Sequence, residues 1–188
     1  MKFEVILAGV GGQGVLSVGA IISGAAVKEG LNVRQSEVHG MAQRGGAVLA
    51  HLRISDKNIA ADMVPRGAAD MILSMEPLEA IRYALWLTPK GASGQPGVLI
   101  SAADPLENIP NYPDLSEIHN TIKKFPMHRI IEAAALAKEA GVALGFFVDD
   151  IPTAIKWKNR GIRYISFSAD VSMMYDAFAQ KVEEFRAG

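Results

Sequence analysis

The strongest constraint on the fold is a glycine-rich turn placed between an apolar strand and an apolar helix. Phe3–Ala8 is a short, mostly apolar run that predicts a buried strand. Gly9-Val-Gly-Gly-Gln-Gly14 interrupts it, and Val15–Glu29 then carries apolar side chains at helical spacing, with Gly30 placed to end the helix. A strand, a tight glycine turn and a helix in this order form the first part of a βαβ unit.

The same alternation of strand and helix continues along the chain. Further strands are predicted at Asn32–Val38, Gly45–Ile54, Ala69–Met75, Gly97–Ala102, Val142–Val148 and Ile162–Ser168. Further helices are predicted after Met75 through Leu87 and at Asp114–Phe125, Met127–Ala140, Ile151–Arg160 and Val171–Arg186. Pro152 is tolerated in the first turn of its helix, and the last helix should bury a stripe formed by Val171, Met174, Phe178, Val182 and Phe185. This pattern predicts an α/β fold, with a Rossmann-like, doubly wound and mostly parallel sheet.

Composition excludes several classes of protein. The chain has 188 residues, a formal net charge of −1 and no cysteine. The near-zero charge gives no electrostatic reason to expect nucleic acid or a membrane surface as a partner. Without cysteine the chain offers no disulfide, no thiol nucleophile and no thiolate ligands for an Fe–S cluster. Since neither a signal peptide nor a membrane span is visible, we expect a cytoplasmic protein.

The glycine-rich turn has the spacing of a phosphate-binding loop. In such loops the first glycine, here Gly9, permits a tight turn, the second, Gly11, lets a phosphate approach the backbone, and the third, Gly14, lets helix and strand pack closely. Gly12 and Gln13 complete the turn, and the N–H groups at the helix start favour an anion. The candidate ribose partner is Glu37. The alternative is that these glycines only close a strand-to-helix turn.

A second cluster of polar residues and glycines follows the second predicted strand, in Ser36-Glu-Val-His-Gly-Met-Ala-Gln-Arg-Gly-Gly46. In a parallel sheet the loops after the strands line a binding crevice, so this cluster should meet the glycine-rich turn. Its candidate ligand-binding residues are Glu37, His39, Gln43, Arg44, Gly45 and Gly46. Arg44 suits phosphate or carboxylate, and His39 can donate a hydrogen bond. The alternative is a structural loop in which Glu37 pairs with Arg44. No metal site is predicted, because no two histidines show ligand spacing.

Together the two motifs resemble the paired signatures of the gamma domain of pyruvate/ketoacid oxidoreductases, and most closely the small (beta) subunits of indolepyruvate:ferredoxin oxidoreductases. Asp70-Met-Ile-Leu-Ser-Met-Glu-Pro-Leu-Glu-Ala80 and Asn111-Tyr-Pro113 support the resemblance, which extends from residue 1 to about Gly141. It implies an accessory subunit of an enzyme that decarboxylates aryl pyruvates oxidatively to acyl-coenzyme A.

The resemblance also implies a division of labour between subunits. Thiamine diphosphate and the Fe–S clusters belong to a large partner subunit, and ferredoxin accepts the electrons. The glycine-rich turn and the Arg44 cluster then bind a phosphate-bearing ligand, with coenzyme A as the first candidate, or brace the large subunit. No catalytic residue is assigned to this chain, and the isolated chain is expected to be inactive.

Residues 142–188 resemble a different family, the end of the HpcH/HpaI aldolases, which are TIM barrels. The matching pieces are Gly145-Phe-Phe-Val-Asp149, Gly161-Ile-Arg-Tyr-Ile-Ser166, Asp170 and the last helix. We expect this segment to supply the last two βα units of the same domain that residues 1–141 begin. A natural fusion and an artificial chimera are both open, and aldolase activity is not implied. The rival hypotheses are an inactive hybrid protein and a free-standing nucleotide-binding protein.

Overall fold

The computed structural model describes residues 1–39, 46–91, 94–105, 111–148, 150–167 and 170–187. The chain divides into two compact units, Met1–Glu132 (unit 1) and Ala133–Gly188 (unit 2). Each unit has its own sheet, with two buried clusters of apolar side chains in unit 1 and one in unit 2, so we describe the two units separately.

Unit 1 alternates strands and helices for most of its length. Its strands are β1 (Lys2–Val10), β2 (Asn32–His39), β3 (Ala47–Ser55), β4 (Met71–Ser74), β5 (Val98–Ala102) and β6 (His128–Ile131). Its helices are α1 (Val15–Lys28), α2 (Pro77–Arg82), a 3₁₀ turn (Ala84–Trp86) and α3 (Leu115–Ile122). Strand order across the sheet is β2-β3-β1-β4-β5-β6.

All strands of this sheet except β3 run in one direction. β3 pairs antiparallel with both β1 and β2, whereas β1, β4, β5 and β6 form a parallel series. The predicted α/β fold with a mostly parallel sheet is therefore confirmed. We call the end of the sheet at which β1, β4 and β5 finish, and at which β3 begins, the carboxyl edge.

Apolar side chains cover both faces of the sheet. Along β1, Val5 and Leu7 pack into one buried cluster with helix α1, while Ile6 between them packs into a second cluster with α2 and α3. Successive residues of a strand point to opposite faces, so an uninterrupted apolar run is what a sheet covered on both sides requires. The predicted doubly wound arrangement follows from this run.

Helix α1 ends where Gly30 was expected to stop it. Gly30 has a positive φ of 77°, its N–H donates to the Val27 carbonyl, and the next N–H, of Leu31, donates to the Ala26 carbonyl. These two bonds make a Schellman motif, which satisfies carbonyls that the helix end would otherwise leave unpaired. Glycine is suited to this position because a Cβ is strained at positive φ.

Unit 2 is smaller and less buried. It contains α4 (Ala133–Glu139), β7 (Gly145–Val148), α5 (Ile151–Asn159), β8 (Tyr164–Phe167) and α6 (Asp170–Ala187). β7 and β8 pair in parallel, and the buried cluster among the described side chains of the unit contains Val148, Trp157 and Ile162. Asp150 caps α5 by accepting from the Thr153 N–H at 2.8 Å, and Pro152 lies in the first turn as predicted.

The structure differs from the sequence expectations in the second half of the chain. A helix was predicted over Met127–Ala140, but residues 128–131 form strand β6 and the helix begins only at Ala133. β7 and β8 form a two-stranded sheet of their own instead of the last strands of the large sheet, and the division falls after Glu132 instead of Gly141. Ala134 on α4 packs against the unit 2 cluster, which explains the earlier boundary.

The apolar stripe of the last helix is also not buried as predicted. Phe178 is 67% exposed and Phe185 is 88% exposed, and Met174 and Val182 are exposed as well. The side chain of Val171, the first residue of the predicted stripe, lies outside the described part of the structure. A parallel strand pair with helices is compatible with a barrel fragment and equally with an open sheet, so the TIM-barrel feature is not confirmed.

Candidate functional site

The glycine-rich turn joins β1 to α1 at the carboxyl edge. Gly12 and Gly14 have positive φ values of 100° and 76°, which disfavour any residue with a Cβ. Gly14 is the N-cap of α1, and none of the side chains in the described ranges caps the N–H groups of the first helical turn. Such a helix start is a region of positive electrostatic potential.

Three glycines of the turn, Gly9, Gly11 and Gly14, differ from the roles predicted for them. A Cβ on Gly9 would lie 2.8 Å from Cγ2 of Val15, so Gly9 provides the close packing of strand and helix that was expected of Gly14. Around Gly14 a Cβ would meet no atom within 4 Å. The N–H of Gly11, expected to approach a phosphate, donates to the Gly46 carbonyl at 2.8 Å.

The side chain of Gln13 ties together the ends of two strands. Its oxygen accepts from the Val10 N–H at 3.0 Å, and its nitrogen donates to the Met75 carbonyl at 2.9 Å. Because these bonds use both ends of the amide, Gln13 fixes the relative positions of the ends of β1 and β4. A ligand that contacts this turn therefore meets a rigid backbone.

The second cluster lies in a hairpin between β2 and β3, not in a strand-to-helix loop. The hydrogen bond from Gly11 to Gly46 brings the end of this hairpin against the glycine-rich turn. His39 is the last residue of β2, and its side chain is outside the described part of the structure, as are residues 40–45, which include Gln43, Arg44 and Gly45. The backbone hydrogen bond between Gly11 and Gly46 thus shows that the two motifs lie close together.

Glu37 does not occupy the position of a ribose-binding acid in a dinucleotide fold. It lies exposed on β2, paired with Ala50 of β3, so that β3 stands between Glu37 and β1. In dinucleotide-binding folds the acidic residue follows the strand next to β1. The antiparallel β3 therefore removes the geometric support for reading Glu37 as a nicotinamide-nucleotide ligand.

The corner between β4 and α2 contains a buried carboxylate, Glu76, which the sequence analysis did not single out as a site residue. Its side chain caps α2 by accepting from the Glu79 N–H at 3.0 Å, and it also accepts from the hydroxyl of Tyr112 at 2.5 Å. Burial, together with the bond to Glu76, raises the pKa of Tyr112, so the hydroxyl keeps its proton and remains a donor.

Glu79 is a second buried acid in this corner. Burial raises its pKa, and Arg82, whose Nε lies 3.0 Å from the Glu79 carboxylate, partly opposes that effect. Buried carboxylates with perturbed pKa values often mark functional sites, although ion-pair networks also produce them.

Helix α3 attaches to the same edge through its start and its side chains. Asp114 caps the helix by accepting from the Ser116 and Glu117 N–H groups at 2.8 Å and 3.1 Å. The His119 ring is hydrogen bonded to the carbonyl of Ala103, just beyond β5, at 2.8 Å. Together with Gln13 and Tyr112, His119 makes a set of side-chain ties along the carboxyl edge, which we call the edge ties.

The opposite edge of the sheet contains a largely buried ion pair between Arg53 and Glu4. Arg53 donates to both oxygens of Glu4, at 2.7 Å and 2.8 Å, and to the carbonyls of Ala61 and Met63. Burial alone raises the pKa of Glu4, but the bonds from Arg53 and Lys2 outweigh this effect and hold it below its usual value. This pair borders an open cavity of about 630 Å³. Because Arg53 is already bonded to a carboxylate and two carbonyls, it fastens a loop and does not present a free cation.

The described ranges also bear on metals and membranes. Among them no three histidine, aspartate or glutamate side chains are grouped so that they could hold a metal ion. None of the helices in the described segments has both the length and the apolar character needed to cross a bilayer.

The carboxyl edge thus combines the glycine-rich turn, the uncapped start of α1 and the edge ties. Together with the doubly wound α/β sheet, these features define a Rossmann-like binding or docking domain. The sequence profile of the family "Pyruvate ferredoxin/flavodoxin oxidoreductase" matches residues 4–158. The chain belongs to that family.

Curated relatives agree with this assignment. Indolepyruvate oxidoreductase subunit IorB of Archaeoglobus fulgidus is 39% identical over 145 residues, which cover 77% of this chain and 71% of the relative. A solved structure of 2-oxoglutarate:ferredoxin oxidoreductase from Magnetococcus marinus matches with a TM-score of 0.52 at 18% identity. The match covers 75% of this chain but only 22% of the other, so it supports the fold alone.

The family match also bears on the end of the chain. It continues to residue 158, past Gly141, where the sequence resemblance was expected to stop. A hydroxypyruvate/pyruvate aldolase of Paraburkholderia phytofirmans is 30% identical over 92 residues, which cover 49% of this chain and 34% of the aldolase. The aldolase resemblance thus rests on a match to only part of either chain. The family match, which extends past Gly141, does not support the chimera hypothesis.

Proposed function

We propose that this chain is the small accessory subunit of a 2-oxoacid:ferredoxin oxidoreductase that acts on aryl pyruvates such as indolepyruvate. The observation that carries the proposal is the family match together with relatives that are themselves oxidoreductase subunits. In this reaction the bond to the carboxylate breaks and carbon dioxide leaves, the acyl group passes to the sulfur of coenzyme A as the thiol proton is released, and two electrons reach ferredoxin.

The partner subunit supplies the redox chemistry in this proposal. The sequence has no cysteine, so its residues do not fit Fe–S clusters, and we derive no electron-transfer step through this chain. Thiamine diphosphate and the clusters belong to the large subunit, ferredoxin is the external acceptor, and the complex is cytoplasmic. The small subunit binds and orients the phosphate-bearing ligand and excludes water from it.

We place the working surface of the chain at the carboxyl edge. The proposed contact residues are Gly9, Gly11, Gly12, Gln13, Gly14, Glu37, His39, Gln43, Arg44, Gly45 and Gly46. The uncapped start of α1 favours an anion, which supports a phosphate-bearing ligand with coenzyme A as the first candidate. Docking of the large subunit on the same edge is the other route by which these residues act.

Reconstitution tests the subunit assignment. The purified chain alone should not reduce an artificial acceptor in the presence of indolepyruvate, thiamine diphosphate and coenzyme A. Activity should appear when the large subunit is added. Acceptor reduction by the chain alone, free of large subunit, contradicts the accessory role, and a wild-type mixture that stays inactive contradicts the proposed function.

Arg44→Ala separates ligand binding from docking. Loss of one charged hydrogen-bonding partner typically costs about 1.5–3 kcal/mol, or roughly ten- to a hundredfold. If Arg44 binds coenzyme A, a higher coenzyme A concentration restores the rate of the assembled enzyme. If Arg44 docks the large subunit, added coenzyme A leaves the defect unchanged and added large subunit relieves it. Arg34→Ala, on the exposed part of β2, is a matched control that should leave the rate unchanged.

A further inference from the structure

Tyr112 and Glu76 lie far apart in the sequence and meet at the carboxyl edge. The Tyr112 hydroxyl donates to one oxygen of Glu76 at 2.5 Å, and the Glu76 side chain also accepts from the Glu79 N–H at 3.0 Å. Glu76 is 1% exposed, so the tyrosine replaces a hydrogen bond that water would otherwise make. The pair joins the start of α2 to the segment that leads into α3.

This pair is directly continuous with the glycine-rich turn. Met75, the residue before Glu76, donates its N–H to the Ala8 carbonyl at 2.9 Å and accepts from the Gln13 amide through its own carbonyl at 2.9 Å. Gln13 and Tyr112 are therefore hydrogen bonded to two neighbouring residues, Met75 and Glu76, at the corner between β4 and α2. A displacement of that corner would therefore also displace the glycine-rich turn, through the bond between Gln13 and Met75.

The segment that Tyr112 holds is short and determines where α3 begins. Tyr112 packs against the buried cluster that contains Ile118 and Ile122, and Asp114 caps the helix two residues further on. Asn111, which precedes Tyr112, has a positive φ of 56°, a conformation that asparagine tolerates better than most residues. The bond from Tyr112 to Glu76 therefore ties the described residues that lead into α3 to the start of α2.

We propose that Tyr112 is a positioning residue, whose bond to Glu76 holds residues 111–114 and the start of α3 in place so that the carboxyl edge is shaped for coenzyme A. This inference rests on the proposed function. Tyr112 does not touch the ligand in this account and acts through Glu76, Met75 and Gln13. The tie stabilises one local arrangement, so its loss should loosen binding more than it lowers the rate of the bound enzyme.

Tyr112→Phe removes the hydroxyl and leaves the ring. Tyr83→Phe is the matched control: Tyr83 is half-buried against the same cluster, with its ring 5.7 Å from that of Trp86, and its hydroxyl makes no hydrogen bond among the described residues. The first measurement is amide hydrogen exchange of the full chain. The Ser116, Glu117 and Ile118 N–H groups should exchange about 10- to 100-fold faster in Tyr112→Phe and at the wild-type rate in Tyr83→Phe.

The second measurement uses the enzyme assembled with the large subunit. Tyr112→Phe should raise the KM for coenzyme A about tenfold and leave kcat within about twofold, while Tyr83→Phe changes neither. In a Glu76→Gln, Tyr112→Phe double variant the loss of the hydroxyl should have a smaller effect than in the wild-type background, because the two residues act as a pair.

Three results contradict the proposal, and they can be told apart. Unchanged exchange in Tyr112→Phe shows that the bond holds nothing in place. Faster exchange with an unchanged KM in an active assembly shows a structural role only. An inactive wild-type assembly contradicts the proposed function itself, and the inference about coenzyme A then fails with it.

Discussion

Unit 1 and unit 2 differ in how completely their helices cover their sheets. In unit 1 apolar side chains are buried on both faces of the six-stranded sheet, and β1 is almost entirely inaccessible. Among the described side chains of unit 2, Val148, Trp157 and Ile162 form the buried cluster, while the large apolar ones of α6 from Met173 onward are exposed. Since burial of apolar surface is the main stabilising contribution, the free energy of unfolding should come mostly from unit 1.

The largest expected effect on stability comes from truncating a buried side chain in the core of each unit. Leu52→Ala in unit 1, at a site with 0% exposure, should lower the global free energy of unfolding by about 2–5 kcal/mol in urea denaturation. Trp157→Ala in unit 2 should instead increase proteolysis and hydrogen exchange within residues 133–187 and leave the main transition in place. Leu85→Ala, at a 72% exposed site, is the control and should change little. If Trp157→Ala shifted the whole unfolding transition as much as Leu52→Ala, the conclusion that stability comes mostly from unit 1 would be wrong.

The next effect concerns the Glu4–Arg53 pair of unit 1. Arg53→Met keeps much of the side-chain volume but leaves the Glu4 carboxylate, which is 1% exposed, with Lys2 as its remaining cationic partner. Removal of one member of a buried pair costs about 3–5 kcal/mol, and the nearby Lys2 should reduce this cost. Chemical denaturation at pH 7 measures the loss. The matched surface variant Arg34→Met, whose pair with Asp62 is exposed, should stay within about 1 kcal/mol of wild type.

A smaller effect should appear when the pH is lowered. His51 is fully buried and accepts from the Val64 N–H through Nδ1, and burial lowers its pKa. The unfolded chain therefore binds a proton more readily than the folded chain. Protonation favours unfolding, so stability is lost as the pH falls below about 6.5, the ordinary histidine pKa. Denaturation curves for wild type and His51→Gln from pH 7.5 to 5.5 should show a shallower pH dependence in the variant, and equal slopes would contradict this role.

The smallest effects concern two glycines of α1 and should differ in sign. A Cβ on Gly24 meets no atom within 4 Å, so Gly24→Ala should stabilise the helix by roughly 0.5–1 kcal/mol. A Cβ on Gly19 would lie 3.1 Å from the Gln35 amide nitrogen and 3.2 Å from Leu7, so the same propensity gain should be offset or reversed there. Thermal melts of both variants measure the difference. A gain of equal size at both positions would show that α1 packs on the sheet more loosely than described.

The sequence predicted best those features that depend on neighbouring residues. The strand Phe3–Ala8, the glycine-rich turn and the helix stop at Gly30 all have local patterns, and the structure contains each of them. Strand β6 was missed because its four residues run directly into an alanine-rich segment with strong helix propensity. Its identity depends on pairing with β5, which no local pattern shows.

The candidate site shows the same limit. The proximity of the glycine-rich turn to the second cluster was expected, and the contact between Gly11 and Gly46 shows it, but the reversal of β3 was not visible in the pattern. Gln13 was chosen as a ligand residue, whereas its amide bonds Met75, which is 62 positions away in the sequence. The Tyr112–Glu76 bond was missed for the same reason. The contact residues proposed for the ligand remain predictions.

The position of β1 within the sheet has a consequence for synthesis of the chain. β1 lies between β3 and β4, yet it precedes both in the sequence. At about 5–20 residues per second, a ribosome needs roughly 2–9 s after making Val10 to reach the end of β3 at Ser55. During that interval an apolar strand has no partner on either side. The local β2–β3 hairpin can form before it docks on β1, so the nascent chain is most exposed to aggregation, and most in need of a chaperone, before that hairpin emerges.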